Sequence, residues 1–100
     1  MSDVEVVTKE VAGKTFVLKL IPTMAALGII HKLETFGPTP EVIFDVISKG
    51  SKMGSVDITQ KRFDEVFAGH IRDVHILFAE ILKYNNLTSE EEGNEEGSEE

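Results

Sequence analysis

The sequence predicts an α+β domain: an N-terminal β-hairpin followed by about three helices packed on it, then a disordered acidic tail. Two β-branched and aromatic runs flank a Gly-containing turn near the start. The central and C-terminal parts repeat apolar residues at three- and four-residue spacing. The last dozen residues, SEEEGNEEGSEE, hold seven glutamates and no lysine, arginine or large apolar side chain. The 100 residues suffice for one domain, read as 1–88, with the tail at 89–100.

The hairpin is read from Val4–Val11 and Thr15–Ile21 on either side of Ala12-Gly13-Lys14. In the second strand Phe16, Leu18 and Leu20 alternate with Thr15, Val17 and Lys19, so the first set is expected to face the core. Pro22 stops the strand because it has no N–H to give a ladder. Thr23 is the expected N-cap of a helix carrying Met24, Leu27, Ile30 and Leu33, with Ala26, Ile29 and Phe36 widening the stripe. Gly28 is a mild weakness within that helix. Gly37-Pro38 ends it.

Thr39-Pro40-Glu41 is a second start signal: a capping hydroxyl, a proline at the first helical position and an acid at the positive end of the dipole. Val42, Ile43, Val46 and Ile47 give this helix its apolar face, and Gly50 is its expected end. Gly50–Ser55 reads as a flexible link. Asp57 and Gln60 form a capping-box pattern. Phe63, Val66, Phe67, Ile71, Val74, Phe78, Ile81 and Leu82 then hold helical spacing as far as Tyr84. Gly69 is placed to break or kink this segment, although the apolar phase runs on across it. Asn85-Asn86 close it.

Composition narrows the function. The chain carries 18 acidic and 10 basic side chains, a net −8. Without the tail the balance is 11 acidic against 10 basic, so the body is nearly neutral and lacks the positive field that a phosphate backbone requires. There is no cysteine, hence no disulfide and no thiolate chemistry. MSDVEVVTKE has neither the basic nor the apolar region of a signal peptide, and no apolar run approaches a membrane span. A cytosolic protein that binds neither nucleic acid nor membrane is expected.

Reactive constellations are sparse. His70 and His75 lie about 140° apart around a helix, and His31 belongs to another element, so no metal site is expected. Asp64-Glu65 diverge by about 100° and read as a solvated face rather than an acid–base pair. No phosphate-binding glycine loop is present, and no cofactor is implied. Lys49, Lys52, Lys61 and Arg62 make a local basic strip, suited to an acidic docking partner or to the chain's own tail. The tail itself supplies solubility or an electrostatic arm. Two strands alone make a marginal sheet, so the hairpin edge is a further surface open to self-association.

The stretch Arg62–Asn85, RFDEVFAGHIRDVHILFAEILKYN, resembles the C-terminal segment of phage tail assembly chaperones. It has the family's Phe-Asp-x-x-Phe-x-Gly element at Phe63, Asp64, Phe67 and Gly69, then an apolar helix closed by Asn85. Gly13-Lys14-Thr15-Phe16, Leu20-Ile21-Pro22-Thr23 and Leu33 through Gly37-Pro38 extend the similarity over most of the body. The resemblance implies a non-catalytic protein of the infected bacterium's cytoplasm, absent from the mature virion. Its partner would be the tape measure protein, whose helical apolar surface it keeps soluble before the tail tube polymerises. A groove between the Met24–Phe36 helix and the Phe63–Tyr84 helix is the expected seat for a client helix. The contact residues would be Met24, Leu27, Ile29, Ile30, Phe63, Phe67, Ile71, Ile76 and Phe78. The alternative is a small structural component of the tail or baseplate, and an acidic regulator of a nucleic-acid-binding protein is a third reading.

Overall fold

The computed structural model describes residues 7–87. The start of the expected first strand, Val4–Val6, and the acidic tail lie outside them. The fold is α+β: a three-stranded antiparallel sheet and four helices.

Strands β1 (Thr8–Val11) and β2 (Lys14–Leu18) form the hairpin, paired Lys9 to Phe16 and Val11 to Lys14. Ala12 and Gly13 both take positive φ, 52° and 73°, which gives the turn the twist that antiparallel strands need. Phe16 and Leu18 are buried as the alternation requires. Leu20 is not: it is 70% exposed, and Ile21 is buried in its stead. The ladder ends at Leu18, and beyond it the Lys19 N–H donates to the Gly50 carbonyl at 2.8 Å, so the strand alternation no longer applies.

Helix α1 runs from Thr23 to Phe36. Pro22, not Thr23, holds the N-cap position, and no side chain caps this end. Helix α2 (Pro40–Gly50) begins as its sequence dictates, with the Val42 N–H donating to the Thr39 hydroxyl. Its apolar residues Val42, Ile43, Val46 and Ile47 are all buried.

Immediately after α2 the chain departs from expectation. Ser51–Met53 is a third strand, β3, paired antiparallel with β2 through Phe16–Met53 and Leu18–Ser51, and not a flexible link. A tight turn at Gly54 (φ 65°) brings Val56 back to bridge Met53. Ser51 is wholly buried, and its hydroxyl donates to the Ile47 carbonyl at 2.7 Å, so the strand enters the core without an unpaired polar group.

The long C-terminal segment is two helices, α3 (Gln60–Val66) and α4 (Ile71–Tyr84). The α3 cap is Thr59, which accepts from the Arg62 N–H, rather than Asp57. The Asp57 carbonyl instead accepts from the Arg62 guanidinium at 2.7 Å. Phe67–His70 form the turn between the helices, with Gly69 at φ 78°. The apolar spacing nonetheless carries across the turn, since Val74, Phe78 and Ile81 are buried as expected. Ile71, in step with Phe63 and Phe67 by spacing, points to solvent, while Leu77 is wholly buried beside Val74, Phe78 and Ile81.

Helix α4 is fastened to the sheet along its length. Near its start, an Asp73 carboxylate oxygen accepts from the Ala12 N–H in the hairpin turn at 2.7 Å. At its end, Asn85 Oδ1 accepts from the Ile21 N–H at 2.7 Å, and its Nδ2 donates to the carbonyls of Lys19 and Ile81. Between them Glu80 pairs with Lys9 at the surface. Asn85 is therefore more than a helix terminator, for it ties the chain's end to the linker before α1. The core fills the space between one sheet face and the helices, with Phe16, Ile47, Leu77 and Ile81 at its centre.

Candidate functional site

Of the nine residues expected to meet a partner, three are core. Ile29 on α1, Phe78 on α4 and Phe67 in the turn after α3 are buried. Phe67 stacks on Phe16 at a ring-centroid distance of 5.6 Å, which roots α3 in the sheet. Ile30 and Phe63 are half-buried. Met24, Leu27, Ile71 and Ile76 are exposed.

Helix α2 packs against both α1 and α4, the two helices expected to bound the groove. Met24–Ile30, MAALGII, is seven residues without a polar side chain, so this part of α1 is apolar on every side. A helix of that kind is ordinarily enclosed. Here only Ile29 is enclosed; Ala25, Ala26 and Ile30 are partly covered, and Met24 and Leu27 face outward. Met24 is 80% exposed, and Leu20 stands just upstream in the linker. Among the described residues no other part of the fold lies within 4 Å of where a Gly28 side chain would begin, so this face of the helix is open.

Two shallow, open clefts flank Glu41 at the start of α2. One, of about 270 Å³, is lined by Lys32, Phe36, Thr39, Glu41 and Val42. The other, of about 230 Å³, lies between α2 and α3 and is lined by Pro40, Glu41, Phe44, Gln60, Phe63 and Asp64. Leu20, Phe36 and Phe44 were not among the expected contact residues. Phe36 fits the α1 stripe by spacing, but it sits in the last turn, where α2 leaves it 68% exposed. The signal that reveals Leu20 is Pro22, since a strand that must end there has little room for a third inward residue.

The polar candidates are dispersed. His31, His70 and His75 are all exposed, and His70 precedes α4 rather than sharing its face. Among the described residues no three His, Cys, Asp or Glu side chains come together as metal ligands. Asp64 and Glu65 are exposed on α3, with Asp64 at the rim of the second cleft. The basic strip is partly engaged within the chain: Lys49 pairs with Asp45, Lys52 with Asp57 at 3.8 Å, and Arg62 with the Asp57 carbonyl. Such surface pairs add little stability, but they reduce the charge on offer to a partner. No described helix is long and apolar enough to cross a membrane.

Fold and surface together describe a small α+β domain with apolar side chains presented to solvent at several places. Compared with protein-family models, with curated proteins and with solved structures, the chain matches none.

Proposed function

We propose that this chain is a non-catalytic binding protein that covers an apolar helical face of a client, in the manner of a phage tail assembly chaperone on a tape measure protein. The observation that carries the reading is α1, apolar all round over Met24–Ile30 yet enclosed on the Ile29 side alone. Met24 and Leu27, three residues apart on α1, offer a client helix exposed apolar anchors, with Leu20 exposed in the linker before them. Exposed side chains of this size gain by leaving water, and contiguous apolar surface on a small domain marks an interaction site. A short contact surface holds weakly, which suits a chaperone that must be displaced as the tail tube forms. Many copies along one long client then supply the avidity.

The resemblance of Arg62–Asn85 to the chaperone family supports this choice of client, and the exposed α1 face would supply the contact. The test is recovery of the tape measure protein from infected cells on immobilised chain, with Met24→Glu/Leu27→Glu as the control. Both positions are exposed, so the double variant keeps the fold and loses the client. Equal recovery by both proteins removes α1 from the account. Presence of the chain in purified particles at stoichiometric amounts favours a structural tail component instead.

A further inference from the structure

Two surfaces apart from the exposed α1 face carry opposite chemistry. The first is the cleft between α2 and α3. Its aromatic floor is Phe44 against Phe63, edge-on at 5.3 Å. Phe63 in turn packs on Phe67, and Phe67 on Phe16 in the core, so the floor is rigidly supported. Glu41 and Asp64 stand on its rim, both exposed, and neither takes part in an ion pair among the described residues. The second surface is the outward face of α4. Arg72, Ile76, Ala79 and Lys83 follow at spacings of four, three and four, which puts them on one line along the helix. All four are exposed, and Arg72 and Lys83 have no ion-pair partner among the described residues.

We propose that the α2–α3 cleft of one copy receives the Ile76 stripe of another. Ile76 seats on Phe44 and Phe63, and Arg72 and Lys83 meet Glu41 and Asp64. An apolar anchor on an aromatic floor holds the contact, and the charged rim sets its register. Both surfaces face solvent in the same molecule, so they pair between molecules. Each copy has one of each, so the contact either repeats head-to-tail into rings or open rows or is made reciprocally across a two-fold axis. The inference needs no client, so its failure and that of the preceding proposal are read separately.

The test is sedimentation of the full chain over a range of concentrations, with two double variants. Arg72→Glu/Lys83→Glu makes the stripe acidic, and Glu41→Lys/Asp64→Lys makes the cleft basic. The native chain is expected to gain mass with concentration. Each variant alone presents like charges to like, and its association weakens by about tenfold or more. An equimolar mixture regains association, because each stripe now matches the other variant's cleft. Both variants keep a net negative charge, so bulk attraction does not produce that recovery. All four positions are exposed, and a thermal melt of each variant verifies its fold; the single pair Arg72→Glu with Asp64→Lys repeats the cross if either double variant is unstable. A native chain that stays monomeric throughout overturns the proposal. So does association that both variants retain, which would place the contact elsewhere, at the β1 edge for example, and so does a mixture that stays apart.

Discussion

Replacing Gly50 by alanine should destabilise the domain, although the same change at Gly28 should stabilise it. A Cβ on Gly50 would stand 2.3 Å from Ile81 Cγ2, with two Ile21 carbons at 3.3 and 3.4 Å. Carbon atoms rest about 3.5–4.0 Å apart, so the overlap with Ile81 exceeds roughly 1 Å. Ile81 is wholly buried, and its Cγ2 is a β-branch methyl with little torsional freedom in a helix, so relief requires α2 and α4 to move apart. Overpacking of this kind costs about 3 kcal/mol, against a helix-propensity gain of at most about 1 kcal/mol. The net loss is about 2 kcal/mol, or roughly 8–16 °C in melting temperature for a domain of this size. Among the described residues no other part of the fold comes within 4 Å of a would-be Cβ at Gly28, and Gly28→Ala gains about 0.5–1 kcal/mol. Denaturant unfolding of both variants measures the difference. Ile81→Leu removes the offending branch, so combining it with Gly50→Ala should recover about 1 kcal/mol by double-mutant cycle. Shifts of the same sign at both glycines, or no coupling with Ile81, would refute the close-approach argument.

Asn85→Ala leaves the Ile21 N–H without its partner and should cost about 1–3 kcal/mol, read by thermal melting. Asn85→Asp keeps the acceptor but sets a carboxylate oxygen against the Lys19 and Ile81 carbonyls, so its loss should be at least as large as that of alanine. Phe67→Asp places a carboxylate between Phe16 and Phe63 and should abolish cooperative unfolding by circular dichroism. Ile29→Ala should cost about 2–4 kcal/mol, whereas Ile76→Ala should stay within about 0.5 kcal/mol of the native chain, because one is buried and the other exposed.

Local signals made much of this fold legible. The hairpin is written in Ala12-Gly13, and α2 in Thr39-Pro40 at one end and Gly50 at the other; in both places the backbone geometry is decided by the residues that form it. Strand β3 is different. Ser51-Lys52-Met53 has no β-branched residue, and it becomes a strand because the free edge of β2 lies beside the end of α2. The start of α4 departs from the spacing for a related reason. The Phe67–His70 turn breaks what spacing alone reads as one continuous helix, so Ile71, the first residue of α4, faces solvent, while Leu77 widens the buried stripe of Val74, Phe78 and Ile81. The candidate surface suffered from the converse problem. Met24, Leu27 and Ile29 are equally apolar in the sequence, and only tertiary packing decides that Ile29 is enclosed while the other two are open.

The account depends on that open face of α1 being the part that holds a client. The most direct measurement is titration of purified tape measure protein with the native chain and with Leu27→Glu, after equal melting temperatures have been verified. The account predicts saturable binding by the native chain at many sites and at least tenfold weaker binding by the variant. Equal affinity for the two, or no binding by the native chain, would contradict it.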